Sequence, residues 1–329
     1  MERLLYYLTV FLILPLSADV VSDAINFRPS SVIRCSPSGN SKGALPPSKV
    51  FHILSRNQEL QLLPGNYSGI IVVGKDKVAV SGDGTGKCNA ALRITSKNCI
   101  VRDLWIKKLI IQNNLVVVNS VIDFVQSENK HKGSQTVVFY NCCIRKVDNH
   151  SNDTKMIFSN CTFRNGGPVF DINTKTKLVF NDSVLDSGQF VFSLLTARAK
   201  KAKIYFKNSY MYGLSGLAVD SLMRNKNVPA AYSVKELRKL VNFNYTGAGP
   251  LKKAFFDKEL PPLNQSGNAY LPDMFVQSAK SSCRNAGIIP SKMLYLKKTG
   301  EETTPQPDSR TWEQELEAVK AELSEFFKE

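Results

Sequence analysis

From about residue 58 to 220 the chain is written in short runs of alternating apolar and polar residues, each closed by a polar or Gly-containing bend. Alternation at a period of two is the pattern of a strand with one buried face. LQLLPGNYSGIIV (60–72) reads as strand, Pro-Gly turn and strand, and VAVSGDGTG (78–86) as a strand entering a Gly-rich turn. The clearest stretch lies between Asn160 and Asp182, where CTFRN (161–165), VFDIN (169–173) and KLVFN (177–181) alternate with bends between them. There Phe170 and Ile172 are expected to face inward and Asp171 outward. SVLDS, FVFSLL and KIYFKN repeat the design over 183–208.

One phrase punctuates these runs: Asn or Asp, a small Ser or Cys, then alternating apolar residues. It reads NCIV at Asn98, NSVI at Asn119, NCCI at Asn141, NCTF at Asn160, DSVL at Asp182 and NSYM at Asn208, at spacings of 21, 22, 19, 22 and 26 residues. A period near 20 with strand-like alternation predicts stacked strands. Each strand should lie parallel to its counterpart one turn later, because bends that recur in one orientation do not close hairpins. The expected fold class is therefore all-β, a single-stranded parallel β-helix with three short strands per turn over 51–220. Asn at the bend tolerates left-handed backbone, and its amide can bond along the stack. The residue after it must be small, so Cys99, Cys142 and Cys161 are expected as packing groups at one shared position. Seven Cys is an odd number, and Cys35 with Cys283 is the expected disulfide.

The flanks read differently. MERLLYYLTVFLILPLSA (1–18) has one Arg before a short apolar run and ends in small residues, the form of a signal peptide processed after Ala18 or Ala24. It is short for a membrane span, and no later stretch reaches that length. The expected location is secreted, periplasmic or extracellular, with no membrane span in the mature chain. Residues 19–50 read as a lead-in or cap, and 221–298 as a C-terminal flank in which SVKELRKLVNF (233–243) carries a helical capping box. Residues 299–308 read as a linker. Residues 309–329 read as an amphipathic helix through Trp312, Leu316, Val319, Leu323 and Phe326, a C-terminal helical extension of the β fold. That segment either packs back on the domain or serves self-association as a short coiled coil.

Charge narrows the partners. Forty-three Lys and Arg against 28 Asp and Glu leave a formal net charge of +15. This favours an acidic polysaccharide or an anionic cell surface, and export argues against nucleic acid. Arg102, Arg145 and Arg164 share one repeat position with Asp123 and Asp186, which predicts charge pairing along the stack.

The three-strand turn with its Asn ladder resembles the right-handed parallel β-helix of the pectin-lyase-like superfamily. The likeness covers about 51–220, and VPAAYSVKELRKLVNFNYTGAGP (228–250) is similar to the ending of some pectate lyases. The superfamily holds lyases, hydrolases, esterases, epimerases and non-catalytic surface proteins, so the likeness implies a scaffold and no single activity. In that fold the groove follows the first strand of each turn, which implies Asp171, Ser193 and Asp220 facing outward on successive turns. Lys107, Lys108, Asp148 and His150 come from the turns before them. A lyase acting on a uronic-acid polymer needs a cation to neutralise the carboxylate and a base for the adjacent proton. Asp148, Asp171 and Asp220 are the candidate Ca²⁺ ligands, and Arg224 or Lys108 the candidate base. The Asp-His and Arg-x-Pro-x-x-Arg phrases of pectate lyases are absent; RNKNVP (224–229) keeps one Arg and the Pro at altered spacing. Two readings stay open: a lyase-like enzyme, and a non-catalytic surface or adhesin-like scaffold.

Overall fold

A computed structural model describes residues 20–37, 43–47, 54–128, 135–149, 154–165, 170–172, 176–187, 190–194, 202–213, 216–220, 231–232, 242–246, 275, 286–297, 311, 313–314, 316–318 and 321, and for some of these, Asp171 and Asp220 included, the backbone alone. Two sheets of parallel strands make up the fold. One has ten strands in the order Ser31–Cys35, Gln58–Leu62, Ala79–Gly82, Cys99–Arg102, Leu115–Val118, Gln135–Tyr140, Thr154–Ser159, Lys177–Asn181, Lys203–Lys207 and Asn242–Thr246. The second sheet begins with Gly65–Val73, Cys88–Ile94, Trp105–Ile111, Val121–Ser127 and Cys143–Asn149. It continues with the broken strands Thr162–Asn165 and Phe170–Ile172, Val184–Ser187 and Phe190–Leu194, and Tyr210–Gly213 and Gly216–Asp220. The chain alternates between the sheets, and each strand pairs with the one a pass later. We call each pass a rung and name it for the residue at its corner. Ala231–Tyr232 is the exception, an antiparallel addition to Gly216–Asp220.

The alternating pattern explains the core. Phe139, Phe158, Phe180 and Phe206 hold the same register position on four adjacent strands of the ten-stranded sheet. Strand spacing is about 4.8 Å, so these rings stack, at centroid separations of 4.9, 5.1 and 4.7 Å. Across the interior they meet Phe163, Phe170 and Phe192 of the second sheet, mostly edge to face. Such pairs add to the burial energy of the rings themselves.

The corners from the first sheet to the second are Asp103, Asn119, Asn141, Asn160, Asp182 and Asn208, all left-handed with φ between 44° and 51°. Each of the first five corner N–H groups donates to a carbonyl of the next rung at 2.9–3.1 Å. The side chains extend the ladder: the Asn141 amide donates to Asn119 at 2.8 Å, and that of Asn208 to Asp182 at 2.6 Å. The expected first member, Asn98, is not in this column. It turns the chain back from the second sheet, in a separate left-handed column with Asn57 and Lys77. Asp103 takes its place, so Cys99 begins a strand and does not share the position of Cys142 and Cys161. A four-residue strand separates these two left-handed turns, and a local phrase cannot say which corner it occupies.

Other expectations are corrected as well. Parallel pairing reaches from Ser31–Cys35 to Asn242–Thr246, beyond the expected 51–220. Three strands per rung hold only from Asn160 onward; in the three rungs before, one seven-residue strand crosses the second sheet. There two successive residues face outward, as in Asp123-Phe124 between the core residues Ile122 and Val125. Later rungs widen that bend until the strand breaks. Cys35 is a free thiol buried in the core, and this overturns the expected disulfide. Cys283 lies outside the described residues. Asn242 and Phe243, placed in a helix from sequence, are strand residues, and 233–241 lies outside the description.

Both outer faces are partly covered. A helix over 20–25 lays Val20, Val21 and Ala24 on Ala79, Ile100 and Val116, and Leu316 is fully buried in the same cluster. Processing after Ala24 would remove this packing, and processing after Ala18 leaves it intact. Leu316 already packs within its own chain, as the packed-back alternative for 309–329 requires. On the second sheet, a strap over 286–295 crosses the rungs in reverse order. It bonds Asp182 through Gly287, Thr162 through Ile288, Asn141 through Ile289 and Asp103 through Tyr295. Met293, Tyr295 and Phe275 thereby bury Trp105, Val121 and Cys143. Gly82 makes room for it: a Cβ there would sit 2.5 Å from the Tyr295 hydroxyl and 2.3 Å from the Asp103 carbonyl. Among the described residues, no helix is long and apolar enough to cross a membrane.

Candidate functional site

The doubled outward pairs at the bend of the second sheet carry the most concentrated surface chemistry. Their first members, Lys107, Asp123 and Arg145, are followed on later rungs by Arg164 and Asp186. Asp123 is 6 % exposed, Arg145 2 % and Arg164 5 %. Lys87 holds Asp123 at 2.7 Å. Burial pushes the Asp123 carboxyl up, with Lys87 opposing it, and pulls Arg145 down to about 10, with Asp123 opposing that. Arg164 and Asp186 are cross-strand partners. Desolvation draws Arg164 down to about 10 and raises Asp186 to about 6, each restrained by the other's charge. The expected charge pairing thus exists on the second sheet. Arg102 is separate, on the ten-stranded sheet and 2.7 Å from Glu59, for the same reason that Asn98 is. Asp123, Arg145 and Arg164 are buried and partly paired, and they hold the bend rather than meet a ligand.

The second members form the accessible row. Lys108, Phe124 and Lys146 stand in register on three adjacent strands, five residues beyond the corners Asp103, Asn119 and Asn141. The Lys108 and Lys146 ammonium groups lie 5.1 and 5.9 Å from the centre of the Phe124 ring, at cation–π range. Lys107 is exposed beside them. Two residues farther along, Gln126 pairs with Asp148. Gln126 and Gln112 both donate to Glu128, which also lies 4.0 Å from Arg93. The result is a strip of cations around one partly exposed ring, edged by amides and carboxylates.

Of the residues expected from sequence, Lys107, Lys108 and Asp148 come together on this strip. His150 and Arg224 lie outside the described residues. Asp171 pairs with Ser193 through the backbone, as expected for one row. Ser193, however, is 2 % exposed and not solvent-facing. Asp220 leaves the row altogether. Ser193 pairs with Val219, while Asp220 pairs with Leu194, itself opposite the core residue Ile172. Asp171, Ser193 and Val219 each lie 11 residues past their corner, and Asp220 lies 12 past, one register position away. The three carboxylates expected to share a cation are therefore not on one row. Among the described residues, no three His, Cys, Asp or Glu side chains are grouped as a metal site.

Phe124, Lys146, Gln126 and Glu128 were not expected. Strict alternation from Asp123 turns Phe124 inward; only the doubled pairs KK (107–108), DF (123–124) and RK (145–146), at equal distance from their corners, signal the bend. Elsewhere, a surface cleft of about 540 Å³ lined by Pro37, Pro46, Pro47 and residues 68–72 has no charged side chain and no evident chemistry. No protein-family model matches the chain, and neither a curated protein nor a solved structure does.

Proposed function

We propose that the chain is an exported right-handed parallel β-helix protein, akin to the pectin-lyase-like superfamily, that binds an acidic polysaccharide along the second sheet without turning it over. The observation that carries this reading is Phe124 in register between Lys108 and Lys146, with Lys107 exposed alongside. A sugar ring offers an apolar face to an aromatic side chain, and an acidic sugar offers a carboxylate to the flanking ammonium groups. Adjacent strands repeat these contacts at about 4.8 Å, which suits an extended chain of like units crossing the rungs. Support for the scaffold comes from the alternation between two parallel sheets and from the corner ladder. The anionic partner is further supported by the net charge of +15. Binding is favoured over turnover in this reading because Asp220 pairs one position off the row that the lyase reading uses.

The test is retention on immobilised polygalacturonate, alginate and a sulfated glycosaminoglycan, with and without Ca²⁺. Wild-type protein should be retained on at least one of them. Phe124→Ala, and Lys108→Gln with Lys146→Gln, should each weaken retention about tenfold, the scale of one lost aromatic or ionic contact set. Absence of retention on all three polymers rejects the proposal. Accumulation of an unsaturated product, abolished by Asp171→Ala, would restore the lyase reading in its place.

A further inference from the structure

The ten-stranded sheet carries a second charged row that the reading above leaves unused. Lys155, Lys177 and Lys203 occupy one register position on three adjacent strands. Each lies five residues before its corner, at Asn160, Asp182 and Asn208. Their neighbours in sequence, Met156, Leu178 and Ile204, belong to the core, so this row is on the outer face. Lys177 is exposed, and Lys155 and Lys203 are partly so. Like charges directly opposite one another on neighbouring strands destabilise a sheet. Burial pulls the Lys155 ammonium down to about 7, and the Lys177 charge adds to that pull.

A row of cations repeated at the strand spacing of about 4.8 Å is matched by a linear polymer with an anionic group on each unit. The two rows also lie on opposite sides of the molecule, because the inward Phe residues of the two sheets meet between them.

We infer that the Lys155–Lys177–Lys203 row is a second acidic-polysaccharide site, and that the protein bridges two glycan chains, one on each sheet. This rests on the acidic-glycan reading of the Phe124 strip and extends it from binding to cross-linking. Two weak sites on one rigid body give avidity to a glycan network that neither site gives alone. They also make a single molecule a junction.

The experiment mixes full-length protein with soluble polymer, using each of polygalacturonate, alginate and the sulfated glycosaminoglycan that retains it. Light scattering is followed across protein-to-polymer ratios. Wild type should show a bell-shaped rise in scattering, because excess protein saturates each chain separately. Lys177→Gln with Lys203→Gln should reduce scattering to the polymer baseline, while retention on the immobilised polymer falls no more than about tenfold. Lys108→Gln with Lys146→Gln should also abolish scattering, and combining all four changes should abolish retention. Scattering by the Lys177/Lys203 variant equal to that of wild type overturns the second site. So does retained wild-type protein that never cross-links at any ratio, and in that outcome the Phe124 reading survives. Failure of wild type to be retained on any polymer removes both. Lys177→Arg with Lys203→Arg keeps the charge and should restore scattering; this separates charge loss from damage to the fold.

Discussion

At the inner corner Ser120, Cys142, Cys161, Ser183 and Ser209 each donate to the carbonyl two residues back, at 2.8–3.3 Å. The hydroxyls of Ser120, Ser183 and Ser209 also accept an N–H from the preceding rung. Oxygen and sulfur are interchangeable there and larger groups are not. Cys142→Ser should change stability by less than about 1 kcal/mol. Ser183→Val, which removes both bonds and adds volume, should cost about 1–3 kcal/mol; urea denaturation of the two variants measures the difference. The six described thiols are all buried. Burial raises Cys35 to about 11 and Cys88 and Cys99 to about 12. Unfolded thiols titrate near 8.5, so in that window the unfolded chain releases protons that the folded chain keeps. Their stabilising effect is complete below about pH 8.5 and is lost as pH rises through 11–12. The urea midpoint should fall steadily above pH 8.5, and a midpoint constant to pH 10.5 would contradict the assignment. The small-residue rule was legible in the sequence. Its error lay at Asn98, where the same local phrase serves a different corner.

At the scale of elements, strands were legible because alternation is a local property. The phrase VFDIN places Phe170 and Ile172 in the core as expected. What escaped was anything set by register or by distant contact. Asp220 was one residue off its row, and the strap over 286–295 has no periodicity to announce it. The strap's anchor is Tyr295, 8 % exposed, whose hydroxyl accepts the Trp105 N–H at 2.7 Å and donates to the Asp103 carbonyl at 2.9 Å. Tyr295→Phe leaves the buried Trp105 N–H without this acceptor and the Asp103 carbonyl with Gly82 alone, and should cost about 1–3 kcal/mol. The loss should appear as faster hydrogen exchange at Trp105 and its neighbours, while the Phe-stacked interior stays protected. Uniform loss of protection would show instead that the strap and the rungs unfold as one unit.

For the molecule as a whole, composition pointed to an anionic partner but not to where it would lie. The net charge of +15 is an average. The structure divides part of it into a largely buried, partly paired row at the bend, a ring-centred row on one sheet and a Lys-only row on the other. The last two should respond differently to salt. The Debye length shortens from about 10 Å at 0.1 M to about 3 Å at 1 M. Contact through Lys177 and Lys203 should therefore weaken more steeply than contact through Phe124. Glycan retention of the Lys108/Lys146 variant should fall more per decade of salt than that of the Lys177/Lys203 variant; equal slopes would argue against this division.

The strap also sets an order in time. Trp105 and Tyr295 are 190 residues apart along the chain. At a synthesis rate of about 5–20 residues per second, roughly 10–40 s separate their emergence from the ribosome. During that interval the early rungs can pair with one another, but Trp105, Val121 and Cys143 have nothing over them. The nascent chain thus presents a sticky seam of its own making, and a truncation before residue 275 would leave that seam permanently open to other chains.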